Sequence, residues 1–309
     1  MGDKYRLVTR SDFDGLVCAV LLRDLGLIDD ISFVHPKDMQ DGKIAVSGRD
    51  IVTNLPYQPS AYLCFDHHAS EETRLTGAKP NLILDPLAPS AARVVWNHFG
   101  GRQRFADVSE EMMQAVDQAD SAQYTIEDIL APEGWTLLNF IMDPRTGLGR
   151  YKHFRISNYD LMMDLIVHCR NPSIQEILAI PDVQERVLFY LENAERAEHQ
   201  LRRICTVHQN VAFLDTTGEE ELVPANRFLI YALYPECNVS VHRLWGLHKQ
   251  NTVFAVGHSI TNRTCKTRVG DLMLSYGGGG HDAAGTCQVA NPDAARVERE
   301  LIETLIRNG

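Results

Sequence analysis

The sequence has no apolar run of membrane-spanning length: the longest, Leu16–Leu22 with Cys18 inside it, is seven residues, where about 20 are needed. No hydrophobic leader is expected either, because Met1–Arg10 alternates charged with apolar residues. A cytoplasmic protein with no membrane partner is therefore expected. None of the seven cysteines (Cys18, Cys64, Cys169, Cys205, Cys237, Cys265, Cys287) has CxxC spacing. Scattered and odd in number, they suggest reduced thiols and argue against a disulfide framework or a zinc site. Excess positive charge is absent too. A formal net charge of −11 argues against long duplex nucleic acid as a partner.

The acidity is uneven. Between Asn238 and Gly270 there is no Asp or Glu, while Arg243, Lys249, Arg263, Lys266 and Arg268 are present. With 309 residues, 44% hydrophobic and 23% charged, the composition is that of a soluble globular chain able to bury one large core or two ordinary ones. No internal repeat or low-complexity tract appears.

In chain order, Tyr5–Thr9 reads as a short strand, and a turn holding Asp12 and Asp14 leads into a helix over Leu16–Leu22 that is apolar nearly all round. Such a helix belongs against a sheet, which points to a parallel α/β layer. Further strand candidates are 31–34, 44–46, 51–53 and, most clearly, 61–65. In open parallel sheets ligands sit outside the carboxyl ends of the strands, where Asp12, Asp14 and Asp66-His67-His68 fall. Ser90 and Ser109 cap helices, and the second of these runs into Asp117 and Asp120. Residues 124–180 read as mostly helical around a basic Gly/Pro loop, 143–150.

The apolar spacing over 182–205 predicts one long amphipathic connector helix. Beyond it, 211–214, 228–233, 239–244, 253–256 and 286–289 read as strands, and 269–276 and 294–306 as helices. Trp245 suits a core better than a base-stacking role.

Three clusters carry chemistry. Asp12-Phe13-Asp14-Gly15 can turn two carboxylates into one crevice. Asp66-His67-His68 follows a strand with two imidazoles. Gly277–Gly280 ends in His281, and successive N–H groups without Cβ atoms between them can wrap a phosphate. Each alone is a common structural feature.

Together, and in this order, they resemble the DHH phosphoesterase superfamily with its C-terminal DHH-associated domain. Ser11–Gly15 is similar to the family's first motif, Phe65–His68 to its signature third motif, and Gly278–Gly285 to the GGGHxxAAG element. The resemblance implies an α/β fold: a parallel-sheet catalytic domain (1–181), a connector helix (182–205) and a smaller α/β substrate-binding domain (206–309), with the active site in the cleft between the two domains.

The implied chemistry is Mn²⁺- or Mg²⁺-dependent attack of water on phosphorus, with one or two ions. Asp12, Asp14 and His67 would ligate metal, Asp66 would orient that shell, and His68 would touch the phosphoryl group. A fourth-motif acid is Asp120 in preference to Asp117. Arg263, Gly278, Gly279, Gly280 and His281 would bind substrate.

Two departures stand out: Val8 occupies a place where many members have a histidine, and Asn54 stands where a bridging aspartate is usual. Asn supplies a carbonyl oxygen but no charge, so one ion site is weakened or differently filled. The expected function is hydrolysis of phosphodiester bonds in short oligonucleotides or linear dinucleotides, with a homodimer allowed. The rivals are an exopolyphosphatase, for which Arg145, Arg150, Lys152 and Arg155 would extend a basic track, and a non-catalytic nucleotide- or phosphate-binding protein.

Overall fold

The computed structural model describes residues 4–68, 77, 79–171 and 173–309. The chain divides into two compact units, Met1–Gln123 with Glu133–Phe189, and Tyr124–Pro132 with Tyr190–Gly309.

The first unit is built on a five-stranded parallel sheet, as the apolar strands and the all-apolar helix predicted. Its strands are β1 (Tyr5–Arg10), β2 (Ile28–Val34), β3 (Asp50–Thr53), β4 (Leu63–Asp66) and β5 (Leu82–Leu84), in the order β2-β1-β3-β4-β5. Helices of eight residues or more are numbered along the chain. Among the described residues of this unit they are α1 (Phe13–Asp24), α2 (Ala91–His98), α3 (Glu110–Asp120), α4 (Gly134–Met142), α5 (Asn158–His168) and α6 (Pro181–Glu192), whose last residues belong to the second unit. Every residue of α1 from Phe13 to Leu22 is buried, the outcome for a helix with no polar face. Ser90 and Ser109 cap α2 and α3 by accepting from Arg93 N–H at 3.0 Å and Met112 N–H at 3.2 Å.

Some expected elements differ. Residues 44–46 form no strand, and Ala45 offers its carbonyl to the Arg6 guanidinium at 2.9 Å. The predicted single helix over 182–205 is two, α6 and α7 (Ala194–Ile204), divided at Asn193. Asn193 accepts a 2.7 Å hydrogen bond from Arg196, and a short amide side chain favours such a break over the helix interior. No helix among the described residues is long and apolar enough to cross a membrane, and all seven cysteines are free thiols.

The second unit holds a six-stranded sheet. Its strands are β6 (Cys205–His208), β7 (Val211–Asp215), β8 (Val239–Trp245), β9 (Thr252–His258), β10 (Gly279–His281) and β11 (Ala284–Val289), in the order β10-β11-β9-β8-β7-β6. Only β7 and β8 pair in parallel. Helix α8 (Ala294–Asn308) contributes Val297, Leu301 and Leu305 to a core with Val211, Val241 and Phe254.

The stretch read as a strand over 228–233 is a helical turn, Leu229–Leu233. Tyr231 fixes it there, its hydroxyl lying 2.9 Å from Ser240 Oγ and donating to Gly257 O at 3.1 Å. An apolar run this short carries no period to tell the two apart.

Candidate active site

The carboxyl ends of β1, β3 and β4 bring Asp12, Asn54 and Asp66-His67-His68 to one rim of the parallel sheet. Asp12 caps α1, accepting from Gly15 N–H at 3.0 Å. Its other oxygen lies 3.0 Å from Arg10 Nε. The turn is tight: a Cβ on Gly15 would fall 2.0 Å from the Arg10 carbonyl oxygen, so glycine is required by close approach. Asp14 is held across the fold, its two oxygens accepting from Ala91 and Ala92 N–H at 3.0 and 2.7 Å. Those are orphan donors of a helix start, whose partial positive charge favours an anion.

Asp66 gathers three donors on one oxygen: the backbone N–H of His67 at 2.8 Å and of His68 at 3.4 Å, and His68 Nδ1 at 2.6 Å. The carboxylate thereby fixes the His68 ring. The His67 ring is fixed by Ala88, whose carbonyl oxygen lies 3.2 Å from Nδ1. A carbonyl only accepts, so Nδ1 carries the proton and Nε2 is directed at the acids. Nε2 comes within 2.8 Å of Asp120 Oδ2 but without hydrogen-bond alignment, and it is a buried nitrogen with no hydrogen-bond partner among the described residues.

The ligand atoms of Asp14, His67 and Asp120 all lie within 4.8 Å of one another, as do those of Asp66, His67 and His68. These groups could hold a metal ion. Asp12 stands outside both sets, engaged by Gly15 and Arg10. Of the two acids weighed for the fourth motif, Asp120 faces His67. Asp117 instead accepts from Ser90 Oγ at 2.8 Å and from Arg93 Nε and Nη2 at 2.9 and 2.5 Å.

Asn54 is buried in the left-handed region at φ 53°, a conformation Asn tolerates better than most residues. Its Nδ2 donates to Asp12 at 3.4 Å, while Oδ1 is buried with no hydrogen-bond partner among the described residues.

Charge is concentrated here. Burial first, and then Asp120, push the Asp14 carboxyl well above its ordinary range. Burial also raises Asp12, against the pull of Arg10. Burial alone would lower the His67 imidazole, but Asp120 and Asp14 raise it to about 9. Burial would raise Asp120 in turn, and His67 holds it below the usual carboxylate range. The His67 imidazolium is thus one of the charges that balance the acids.

Two cations were absent from the site foreseen in the sequence. Arg10 sits on Asp12. Arg145 is clasped by Asp143 through two 2.7 Å contacts, and its charge also acts on Asp12 and Asp120. The Pro144 and Gly147 turn signals marked the loop that carries Arg145, but nothing in the spacing said which strand end it reaches.

In the second unit Arg263 is exposed and donates from Nε to Ile260 O at 3.2 Å, and His281 ends β10, also exposed. The glycine run differs from the expected phosphate wrap. Gly277 and Gly278 N–H both donate at 2.9 Å, to Leu274 O and Met273 O, and so close the short helix Val269–Leu274. A Cβ on Gly278 or Gly280 would fall 2.1 or 2.2 Å from carbonyl oxygens of β11. Close strand packing demands those two glycines, whereas Gly277, with a positive φ of 76°, and Gly279 have open space beside them. Trp245 donates to Thr217 O at 2.9 Å beneath Lys249, a structural role.

No protein-family model and no curated protein matches the chain. Among solved structures, a pGpG-specific phosphodiesterase, PggH from Vibrio cholerae, is 58% identical with a TM-score of 0.86, over 99% of this chain and 100% of that one. The chain belongs to the DHH phosphoesterase superfamily. Two further DHH neighbours share the fold alone. A manganese-bound exonuclease RecJ matches at 14% identity and a TM-score of 0.50, over 99% and 91% of the two chains. RecJ from Thermus thermophilus in complex with Mn²⁺ matches at 12% and 0.51, over 99% and 52%. The α/β class and the phosphoesterase activity expected from the DHH motifs both stand.

Proposed function

We propose that the chain hydrolyses the linear dinucleotide pGpG to two molecules of GMP, with Asp14, His67 and Asp120 holding a divalent cation. The observation that carries this reading is end-to-end similarity, at 58% identity, to a phosphodiesterase specific for pGpG. Asn54 Oδ1, buried with no hydrogen-bond partner among the described residues, fits a cation. So does His67 Nε2, which faces Asp120 at 2.8 Å without hydrogen-bond alignment and would ligate as the neutral imidazole. Hard oxygen donors with one imidazole suit Mn²⁺ or Mg²⁺. Bound there, the ion would supply Lewis acidity toward the phosphoryl oxygens and make water acidic enough to attack near neutral pH.

The chain's own residues do the rest. Ala88 holds the His67 ring by its outer nitrogen, as ligating histidines are usually held. Asp66 holds His68 by Nδ1, which leaves Nε2 as the atom that meets the phosphoryl group, donating to it only when the ring carries both protons. Arg10 and Arg145 oppose the negative charge that the substrate brings to Asp12 and Asp120. Asp12 offers one more carboxylate from the same turn, and Asn54 a neutral carbonyl oxygen where charge is already crowded. In the second unit Arg263, Gly279 and His281 are assigned to the substrate's remaining phosphate and nucleoside. This reading also places the protein in the cytoplasm.

Purified protein with Mn²⁺ should release GMP from pGpG, followed by chromatography. His67→Ala should lower kcat by at least about a hundredfold, more than loss of an outer-shell partner costs. Full turnover in that variant would remove the assigned roles, and faster release of phosphate from polyphosphate than of GMP from pGpG would favour the exopolyphosphatase.

A further inference from the structure

Six consecutive residues, Arg150-Tyr151-Lys152-His153-Phe154-Arg155, alternate cations with rings, and the activity above leaves them without a role. The rings gather with Phe189 of α6. Tyr151 and Phe189 have centroids 4.7 Å apart, His153 and Phe154 4.5 Å, and His153 and Phe189 4.9 Å.

A fixed floor supports them. The buried Arg186 guanidinium lies 4.5 Å from the Phe154 centroid and donates to Ile156 O at 2.7 Å. Arg155 pairs with Asp182, which ties the segment to α6. Above this floor Tyr151, Phe154 and Phe189 are half-buried, and His153 is exposed.

The residues flanking the segment relate it to the parallel sheet. On one side Arg145 acts electrostatically on Asp12 and Asp120. On the other, Tyr159 packs edge-on against Phe33 at 6.0 Å, and Phe33 pairs with Thr9 near the carboxyl end of β1. The segment thus runs between Arg145, whose charge reaches Asp12 and Asp120, and Tyr159, which packs on β2 of the sheet whose carboxyl ends carry the site. Rings interleaved with cations suit an anionic ligand that carries a flat aromatic base.

We propose that the Tyr151, His153, Phe154 and Phe189 cluster stacks one purine base of a linear dinucleotide whose phosphodiester lies at Asp14 and His67. This inference rests on the phosphodiesterase reading and adds to it where a base is held. The exposed His153 ring is the contact surface, and the partly buried rings hold it in place.

The test is a thermodynamic cycle on the whole chain. pGpG and two analogues, each lacking one of the two bases, are titrated by calorimetry into chelator-treated wild type, His153→Ala and His153→Tyr. KM values in Mn²⁺ give the same comparison. His153→Ala should weaken pGpG about tenfold, within the range of one base–aromatic stack, and His153→Tyr should recover most of that loss. For one analogue, wild type and His153→Ala should bind alike, because the stack is already missing. Equal thermal midpoints in all three proteins show that folding is not the cause.

Additive losses with both analogues, or a tyrosine variant no better than alanine, would overturn the stacking site. The two readings fail separately. Base-dependent binding without GMP release in Mn²⁺ removes the hydrolytic reading and keeps the stacking site, whereas GMP release with additive losses does the reverse.

Discussion

Asn54 and His67 present the same chemical problem from two sides. Asn54 Oδ1 is buried with no hydrogen-bond partner among the described residues, a state that costs roughly 1–3 kcal/mol unless a ligand satisfies it. His67 Nε2 has only the unaligned approach to Asp120 at 2.8 Å. Asn54→Asp tests the arrangement. The new carboxylate would sit beside the already raised Asp12, so in chelator the variant should melt about 3 °C or more below wild type. With Mn²⁺ the order should narrow or reverse, because an added charged ligand raises cation affinity; calorimetric Kd for Mn²⁺ should tighten about tenfold. A variant equally stable in chelator and with unaltered Mn²⁺ affinity would place Asn54 outside the ion's reach.

Among the elements, β1 and β3 are locked by a polar pair at their register. Arg6 stands opposite Asp50 and donates to it at 2.7 Å, while the other Asp50 oxygen accepts from Ser47 N–H at 2.7 Å and Ser47 Oγ at 3.1 Å. Burial alone would raise the Asp50 carboxyl, but Arg6 and Ser47 together hold it below its ordinary value. A depressed folded value contributes stability above the unfolded pKa of about 3.9, and that stability is lost as pH falls through the folded one. Arg6 is 33% exposed, so solvent screens part of the gain. Asp50→Asn should cost about 1–2 kcal/mol at pH 7, measured by urea unfolding, and the gap should shrink as pH drops below 4.

The same scale shows what was legible in the sequence. Alternation and capping located β1, β4, α2 and α3, because their signals are local. The 228–233 run and the break at Asn193 were hidden because partners distant in sequence or a single side chain decide them. The sequence favours Asp120 over Asp117, and what the spacing cannot record is that Ser90 and Arg93 engage Asp117 while Asp120 faces His67. The glycine run invited a ligand explanation, whereas Gly278 and Gly280 answer to the close packing of β11.

For the whole molecule, net charge and local charge oppose each other. A chain of formal charge −11 repels an anionic dinucleotide at long range, and added salt would relieve that repulsion and lower KM. Arg10 and Arg145 lie within the site, where their attraction is strongest and salt weakens it. The local term should win at contact distances, so KM for pGpG should rise severalfold between 50 and 300 mM salt at fixed Mn²⁺. A falling KM would mean that the acidic surface controls encounter.

The Asp14 carboxylate is satisfied by N–H groups 77 and 78 residues further along the chain, and its other neighbour, Asp120, belongs to a helix later still. The cluster therefore does not exist until most of the first unit has been made and packed, since contacts so distant in sequence form late. A ribosome-bound fragment ending before Asp120 would carry the Asp-His-His signature and yet lack the assembled ion site. Metal capture should thus report completed folding of the first unit, and serve as a clock for its final step.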